Sequence, residues 1–193
     1  MKEIIEQFKE ETGYELTIKD GKLFYNGSLN LTGKNITELP DNLIVRGDLD
    51  LVDTKLTKLP DNLTVSGSLD LTGVPITELS DDLSVGKSLD LTFSHIKKLP
   101  DNFTIHGTLY LSNTPITELP DNLTVEGSLI LNFTHITKLP DNLKVGERVY
   151  LQNTPITEFS DNSTVNDNIY LIDAKNTDNL KVYGRVDIGC KIH

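Results

Sequence analysis

The sequence predicts a mainly-β protein: a right-handed solenoid of about eight to nine coils of 20 residues, with an N-terminal helix-plus-hairpin cap. Three observations support this fold class. Seven 20-residue units follow one another without a gap from Gly27 to Asn166. The units carry apolar residues at six recurring positions, and one further position alternates between Glu and Lys. Self-similarity at a fixed short period is the signature of stacked repeats.

The common unit reads G-x-L-x-L-x-x-T-x-I-T-E/K-L-P-D-N-L-x-V-x. In the second unit the six apolar positions are Leu49, Leu51, Leu56, Leu59, Leu63 and Val65. The Leu-x-Leu pair has the alternation of a half-buried strand. Because 20 residues cannot bury six apolar side chains alone, successive units must stack and share one core. Equivalent residues of neighbouring coils would then lie about 4.8 Å apart.

The alternating charge occupies the twelfth position of the unit. This position lies between two inward-facing apolar residues, so its side chain is expected to face solvent. Seven stacked Glu residues would repel one another, whereas alternating Glu and Lys makes neighbours attractive and disfavours a shift of one coil. The residues are Glu38, Lys58, Glu78, Lys98, Glu118, Lys138 and Glu158. We interpret the alternation as a device that fixes the stacking register.

The pattern L-x-L-x-x-T-x-I-x-x-L-P resembles the leucine-rich repeat, closest to the short bacterial and phage arrays with 20-residue units. Leu49-Asp50-Leu51, Thr54, Leu56 and Leu59-Pro60 carry the match, and the resemblance covers residues 27–188. Two features depart from the family pattern. Thr stands at the usual Asn position in four units, and Asp-Asn-Leu-x-Val-x-Gly replaces the usual Leu-x-x-Leu before the strand.

The segment before the Leu-x-Leu strand predicts a second short strand in each coil. The alternation of Leu43 and Val45 is the basis of this prediction, and it places the coil closer to a β-solenoid than to a helix-bearing horseshoe. Recurrent glycines are expected to supply the bend between the two strands, at Gly47, Gly67, Gly107 and Gly127.

The N-terminal segment predicts a cap on the first coil. Residues 2–12 have the pattern of a short helix, with Ile4, Ile5 and Phe8 on one face and Gly13 as its C-terminal stop. Residues 16–25 then predict a hairpin with an Asp-Gly turn. We therefore divide one structural domain into a cap at 1–26, a solenoid at 27–188 and a C-terminal tail or edge strand at 189–193.

The C-terminal end predicts an uncovered edge. An eighth unit, Asp167 to Tyr183, is three residues short, and a ninth strand is expected at residues 185–188. Beyond these the sequence shows no cap, and apolar residues alternate at Val186, Ile188, Cys190 and Ile192. An exposed edge strand can pair with another chain. The sequence therefore predicts a homodimer contact at this edge.

The charge balance narrows the classes of partner. The chain has 18 basic and 29 acidic residues, a net charge of −11 and a pI of about 4.7. Such a protein is expected to favour basic protein partners and to avoid direct contact with nucleic acid and with membranes. The start, MKEIIEQFKEETG, lacks the apolar region of a signal peptide. We expect a cytoplasmic protein of a bacterial or phage-infected cell.

No constellation in the sequence predicts catalysis, a cofactor or a metal site. The single Cys190 excludes a disulfide framework and a Cys-based zinc site. His95 and His135 lie two coils apart, too far to share a metal, and are expected at the surface. We interpret a column of Asp residues as turn caps bonded to their own backbone, rather than as a calcium ladder. The column consists of Asp41, Asp61, Asp81, Asp101, Asp121, Asp141 and Asp161.

The fourth position of the unit predicts the binding site. It faces outward and changes in a block from acidic to aromatic. We predict a partner-binding surface of large side chains, because Tyr and Arg dominate interface energetics; it consists of Tyr110, Ile130, Tyr150, Tyr170, Arg148, Gln152 and Ile172. An acidic shoulder beside it would steer a basic partner and consists of Asp48, Asp50, Asp70 and Asp90. Alternatively, Tyr150 only stacks on Tyr170 and stabilises the sheet.

These observations predict a non-enzymatic module that recognises another protein through the strand side of the solenoid. Two alternatives remain open. An acidic inhibitor that mimics nucleic acid would present its Asp residues to the basic site of a nucleic-acid-acting or defence enzyme. Polysaccharide binding or cleavage would use the Asp rows and Tyr platforms, since two carboxylates about 5 Å apart suit a retaining glycosidase.

Overall fold

The structure, a computed structural model, describes residues 2–160 and 162–171 and the backbone of the strand at 181–182. In these residues the 20-residue units stack as the coils of a parallel β-solenoid, and one helix precedes them. The predicted mainly-β solenoid with an N-terminal helix is confirmed. No helix in this part of the chain is long and apolar enough to cross a membrane.

Most strands are only two residues long, and the coils contribute two of them each. In chain order the elements are α1 (Lys2–Thr12), β1 (Thr17–Lys19), β2 (Lys22–Tyr25), β3 (Leu29–Asn30), β4 (Leu43–Val45), β5 (Leu49–Asp50), β6 (Thr64–Val65), β7 (Leu69–Asp70), β8 (Ser84–Val85), β9 (Leu89–Asp90), β10 (Thr104–Ile105), β11 (Leu109–Tyr110), β12 (Thr124–Val125), β13 (Leu129–Ile130), β14 (Lys144–Val145), β15 (Val149–Tyr150), β16 (Glu158–Phe159), β17 (Thr164–Val165), β18 (Ile169–Tyr170) and β19 (Lys181–Val182).

One strand of each coil joins a continuous eight-stranded parallel sheet in the order β3-β5-β7-β9-β11-β13-β15-β18. The register is regular, because residues 20 positions apart are Cα partners, as Leu49 is with Leu69 and Leu69 with Leu89. The first residue of each strand is buried and the second faces outward, as strand alternation requires. We call the outward side of this sheet the strand face.

The second predicted strand of each coil is also present, which confirms the β-solenoid interpretation of the Leu43-x-Val45 segment. These strands form a five-stranded sheet, β1-β2-β4-β6-β8, and a four-stranded sheet, β10-β12-β14-β17. Apart from the β1–β2 hairpin, all neighbouring strands in them are parallel. The row formed by the second strand of each coil is therefore interrupted between β8 and β10, whereas the sheet of the strand face is continuous.

A turn of different geometry accompanies this division. In coils that read Pro-Asp-Asn, the Asn has a positive φ of 54–60°, at Asn42, Asn62, Asn102, Asn122 and Asn142. The third coil instead reads Ser80-Asp81-Asp82, and its Leu83 N–H donates to the Ser80 carbonyl oxygen at 3.2 Å. Leu83 and Phe103, on either side of the division, are each 8% exposed, whereas the equivalent Leu63 is fully buried. The sequence change at the turn thus coincides with a slightly greater exposure of these two core side chains.

One apolar core runs through all the stacked coils. The six predicted positions of the second unit are all buried, from fully buried Leu51 to Leu59 at 5% exposure. Phe159 replaces Leu at the equivalent position of the seventh unit and is 1% exposed. The prediction that neighbouring coils bury one another's apolar side chains is confirmed.

The Thr at the eighth position of the unit closes the turn that follows the Leu-x-Leu strand. Its hydroxyl donates to the carbonyl oxygen three residues earlier at 2.7–2.8 Å, in Thr54, Thr114, Thr134 and Thr154. These Thr residues are only 1–2% exposed. Every buried side-chain nitrogen and oxygen atom in the described residues has a hydrogen-bond partner. Because each buried hydroxyl has a hydrogen-bond partner, its burial does not incur the free-energy cost of an unsatisfied polar group.

The N-terminal segment forms the predicted helix and hairpin. The Gly13 N–H donates to the Lys9 carbonyl oxygen at 2.8 Å, and its φ of 80° ends the helix as expected. Asp20 and Gly21 both have positive φ, as a type I′ hairpin turn requires. Of the residues predicted to share one face, Phe8 is 4% exposed, whereas Ile4 is 44% exposed. The buried residues of α1, Phe8 and Thr12, lie in its second half.

The recurrent glycines serve a different purpose from the one predicted. Gly47, Gly67, Gly107 and Gly127 have no positive φ, so the bend does not require glycine conformations. They are needed because successive coils approach closely at this corner. A Cβ atom on Gly47 would lie 2.5 Å from the Ser28 nitrogen, and one on Gly127 would lie 2.7 Å from the Gly107 carbonyl carbon. A side chain there would force the coils apart.

The last described strand pairs differently from the repeat alignment. Asp-Asn-Leu-Lys-Val at 178–182 matches Asp-Asn-Ser-Thr-Val at 161–165, which predicts that β19 pairs with β17. Instead Lys181 is the partner of Glu158, and Val182 that of Phe159, in β16. Both registers keep the polar–apolar alternation, so the pattern alone specifies this register weakly. The predicted ninth strand, the C-terminal tail and the homodimer edge lie outside the described residues.

Candidate partner-binding face

The fourth residue of each unit forms one column along the strand face. Its members are Cα partners from coil to coil, in the order Asn30, Asp50, Asp70, Asp90, Tyr110, Ile130, Tyr150 and Tyr170. The acidic block therefore adjoins the apolar and aromatic block directly. The structure places Tyr110, Ile130, Tyr150 and Tyr170 side by side, as predicted.

Tyr110 is the most exposed residue of the aromatic block. Its side chain is 37% exposed, whereas Ile130, Tyr150 and Tyr170 are half-buried. Its neighbours in the column are Asp90 on one side and Ile130 on the other. In the described residues the paired aromatic rings are Tyr14 with Tyr25 and Tyr150 with Tyr170. The ring of Tyr110 therefore remains accessible at the boundary between the two blocks.

Tyr150 and Tyr170 stack on each other across neighbouring coils. Their ring centroids are 4.8 Å apart and their ring planes are inclined by 9°. This separation equals the spacing of adjacent strands in a sheet. The stacking that the alternative interpretation requires is thus present, and each ring loses one face to the other. Among the Tyr residues of the column, Tyr110 offers the larger accessible surface.

Arg148 is held in place beside this stack. Its Nε donates to Asp167 Oδ2 at 2.8 Å. A hydrogen bond with Tyr150, followed by the hydrogen bond and charge of Asp167, raises the pKa of the Arg148 guanidinium. The side chain remains 48% exposed. A partner would meet an oriented guanidinium rather than a mobile one.

Gln152 and Ile172 are the other two predicted members of the surface, and the structure describes only Gln152. Gln152 is half-buried, and its backbone is bonded to the preceding coil. Both hydrogen bonds are to that coil rather than to one coil on each side: its N–H donates to Asn132 Oδ1 at 2.9 Å, and its carbonyl oxygen accepts the Phe133 N–H at 2.9 Å. Ile172 lies outside the described residues.

The acidic shoulder combines a local structural role with its surface charge. Asp50, Asp70 and Asp90 each accept the backbone N–H two residues later, at 3.1, 2.9 and 2.8 Å. Asp50 also accepts the Thr32 hydroxyl at 2.6 Å. Asp48 accepts the Ser68 N–H of the next coil at 2.8 Å. The carboxylates are thereby fixed in orientation, and the charges line up along the column.

The second Asp column differs from its predicted role. Asp41 Oδ1 accepts the Asp61 N–H at 3.0 Å, and Asp121 Oδ1 accepts the Asp141 N–H at 3.1 Å. These carboxylates thus join one coil to the next rather than capping their own turns, so that interpretation is wrong for them. The inter-coil bond arises because the equivalent backbone N–H lies one strand spacing away.

Sequence reasoning missed two residues beside the strand face. Phe93 and Phe133 occupy the seventh position of their units and are 60% and 52% exposed. Their φ values are 58° and 59°, a left-handed conformation that bulky side chains rarely adopt. Other coils place more tolerant residues there, namely Gly33, Asp53, Gly73, Asn113 and Asn153. The occurrence of Phe in a column of Gly, Asn and Asp was the available signal.

The described residues contain no group of three or more His, Cys, Asp and Glu arranged to hold a metal ion. His95 and His135 are exposed, as predicted. No protein-family model matches this chain, and no curated protein or solved structure matches it significantly.

Proposed function

We propose that this chain is a leucine-rich-repeat-like recognition module without catalytic activity. It binds a basic partner protein through the strand face, in the cytoplasm of a bacterial or phage-infected cell. The observation that carries this proposal is the position of Tyr110. This exposed ring lies in a regular sheet, directly between a block of carboxylates and a block of apolar and aromatic side chains.

The arrangement around Tyr110 has the anatomy of a protein interface. Interfaces combine aromatic anchors at the centre with a polar rim, and Tyr and Arg are the residue types most often found among the anchors. Here Tyr110 and Ile130 provide the centre, while Arg148 is oriented at one side. Asp70 and Asp90 provide the rim on the other side. The carboxylates raise the association rate of a basic partner through long-range attraction.

The proposal is tested with a partner identified from native cells by affinity capture and mass spectrometry. The affinity of the purified partner is then measured for the parent and for Tyr110→Ser. We expect the variant to bind about 30-fold more weakly, because truncating an anchor typically costs about 2 kcal/mol. Ile18→Ser is the matched control, since Ile18 is also an exposed apolar residue, 45% exposed, but lies in the cap. Equal affinities for all three proteins would contradict the proposal.

The acidic mimic of nucleic acid is a second candidate, and the in-register row of Asp50, Asp70 and Asp90 favours it. Charges repeated at the strand spacing resemble a polyanion. The salt dependence separates the two functions. The affinity of a mimic should fall steeply, with log Kd changing linearly with log salt concentration, whereas an interface anchored by Tyr110 should lose less affinity, because only the attraction of its carboxylates is screened.

Polysaccharide binding has less support on this face. A sugar ring stacks on the flat side of an aromatic ring, and Tyr150 and Tyr170 present one such side to each other. The carboxylates of Asp50, Asp70 and Asp90 are each bonded to the backbone N–H two residues later. We therefore propose protein recognition ahead of glycan recognition.

A further inference from the structure

The corner where the cap meets the first coil contains the only Asn-Gly dipeptide of the chain, Asn26-Gly27. It joins β2 to β3 and belongs to neither strand. The Asn26 side chain is exposed to solvent. The residues that precede the equivalent glycines of later coils are Arg46, Ser66, His106 and Glu126. Among these corners, the first one therefore places a side-chain amide next to a glycine nitrogen.

The backbone nitrogen of Gly27 differs from its equivalents in hydrogen bonding. The N–H groups of Gly47, Gly67 and Gly127 each donate to the carbonyl oxygen of the equivalent glycine one coil earlier, at 2.9–3.0 Å. Gly27 belongs to the first coil, so no equivalent glycine precedes it in the stack. Within the residues that the structure describes, its N–H donates to no acceptor. No inter-coil hydrogen bond therefore holds this nitrogen in place.

The space around Gly27 is also open. A Cβ atom on Gly47 would lie 2.5 Å from the Ser28 nitrogen, whereas the nearest neighbour of one on Gly27 would be Tyr25 Cε1 at 3.6 Å. An adjacent coil thus crowds Gly47 but not Gly27. Because glycine has no Cβ atom, it hinders least the conformations that bring its nitrogen to the preceding side chain.

We propose that Asn26 is a site of spontaneous deamidation, a covalent modification whose only co-reactant is water. The Gly27 nitrogen bonds to Asn26 Cγ, the bond from Cγ to the side-chain nitrogen breaks, and that nitrogen leaves as ammonia with the proton of the Gly27 N–H. Water then opens the resulting cyclic imide at one of its two carbonyl carbons. Opening at Cγ gives Asp, and opening at the main-chain carbonyl carbon gives isoaspartate. No group is oxidised or reduced.

The two products affect the fold differently. In isoaspartate the main chain runs through Cβ and Cγ of residue 26 and is longer by one carbon atom. The corner is fixed on both sides, since β2 pairs with β4, β3 pairs with β5, and the Gly27 carbonyl oxygen accepts the Gly47 N–H at 2.9 Å. The longer chain does not fit this register, so isoaspartate weakens the attachment of the cap. Asp keeps the chain length and changes the net charge from −11 to −12, because one neutral amide becomes one carboxylate.

The test is incubation of the full chain in buffer, followed by trypsin digestion and mass spectrometry, with an unincubated sample as the background. Cleavage after Lys22 and Lys34 gives a peptide of residues 23–34, which contains Asn26 and Asn30. We expect the mass gain of one NH2-to-OH exchange at Asn26, faster at higher pH, because base removes the proton of the attacking nitrogen. Asn30 lies in β3 and precedes Leu31, so it is the internal control and should remain unchanged.

Two variants separate the chemistry from its effect on the fold. Gly27→Ala adds a Cβ atom for which the structure has space, and it should slow the reaction about tenfold by hindering the attack. Asn26→Asp carries the charge of one product without the longer chain. The incubated parent should therefore melt at a lower temperature than Asn26→Asp, and the difference should grow with the fraction of isoaspartate, which is separated from the Asp form of peptide 23–34 by chromatography.

A synthetic peptide of residues 23–34 is the reference for the influence of the fold. The rate in the folded chain should lie within about tenfold of the peptide rate, because few contacts restrain this corner. The proposal fails if Asn26 reacts only in the peptide or in the urea-unfolded chain, since the corner would then protect it. It also fails if Gly27→Ala reacts as fast as the parent, or if Asn30 in the folded chain reacts as fast as Asn26.

Discussion

Lys138 and Glu158 are partners in a parallel β-bridge between adjacent coils, and both side chains are exposed. The alternating column is therefore in register and faces solvent, as predicted. The direct ion pairs of the described residues lie elsewhere, at Lys9–Glu15, His106–Glu126 and Arg148–Asp167. Among the described residues the column thus has no direct ion pair, and we expect it to act through attraction across solvent. Such attraction is weak and sensitive to salt.

Reversing the Lys residues of this column should destabilise the solenoid mainly at low salt. In the triple variant Lys58→Glu, Lys98→Glu and Lys138→Glu, every neighbour pair carries like charges, each costing a few tenths of a kcal/mol. We expect a lower Tm than the parent in 10 mM salt and a much smaller difference in 1 M salt, measured by circular dichroism.

The control for this experiment has the same net charge. Lys19→Glu, Lys87→Glu and Lys144→Glu also change the net charge from −11 to −17, as three changes of −2 each. If both triple variants melt alike at low salt, the stacking of the alternating column does not contribute to stability.

The Tyr150–Tyr170 stack should contribute to stability independently of binding. Tyr170→Ala should lower the free energy of unfolding by about 0.5–1.5 kcal/mol beyond the loss of buried area, as stacked pairs do in double-mutant cycles. A cycle with Tyr150→Ala, measured by urea denaturation, isolates the coupling. Tyr110→Ala combined with Tyr170→Ala should be additive, and a coupling energy near zero for Tyr150 and Tyr170 would contradict the stacking.

The buried Thr hydroxyls should each stabilise their turn. Thr114→Val keeps the shape of the side chain but leaves the Leu111 carbonyl oxygen without the hydroxyl donor at 2.7 Å. We expect a loss of about 1 kcal/mol in the free energy of unfolding. Thr117→Val, at an exposed position of the same coil, should change it by less than about 0.5 kcal/mol. Equal effects of the two substitutions would show that the hydroxyl bond is unimportant.

Asp82 should make the middle of the solenoid sensitive to acid. Its carboxylate accepts the Ser80 hydroxyl and the Asn62 N–H, and these hydrogen bonds lower its pKa below the ordinary value of 3.8. A lowered folded-state pKa contributes stability above the unfolded-state pKa, and this stability is lost as pH falls towards the folded-state value. We expect the Tm of the parent to fall more steeply below pH 3.8 than that of Asp82→Asn. Parallel pH profiles of the two proteins would rule out this contribution.

Relieving the strain at the two Phe residues should stabilise the fold. Asn tolerates the left-handed region and already occupies it at Asn113 and Asn153. Phe93→Asn and Phe133→Asn should therefore each raise the free energy of unfolding by up to about 1 kcal/mol, measured by urea denaturation. Loss of stability in both variants would indicate that the rings serve the fold.

The sequence was sufficient for features that depend on period. The six apolar positions and the outward position of Lys138 follow from the 20-residue period, and the second strand at Leu43–Val45 follows from its alternation. Features that depend on local geometry could not be predicted. The recurrent glycine at Gly47 suggested a bend, whereas in the structure the Ser28 backbone leaves no room for a side chain there.

For the candidate site, the outward placement of side chains was predictable, but their accessibility was not. Strand alternation placed Tyr110 and Tyr150 outward, and that placement is correct. It could not decide which of them remains accessible, because the 4.8 Å stack of Tyr150 on Tyr170 depends on rotamers. The exposed, left-handed conformation of Phe93 was not predicted, because hydrophobicity gives no information on its φ value.

The alternation of Glu and Lys on adjacent coils also limits how such an array can change length during evolution. Insertion or deletion of one coil by recombination between repeats would bring two equal charges together, and it would shift every later Phe or Asn at the seventh position of the unit by one coil. Gain or loss of two coils preserves both patterns. Descendants of this gene that remain folded and functional should therefore differ from it by multiples of about 40 residues, twice the period of the solenoid.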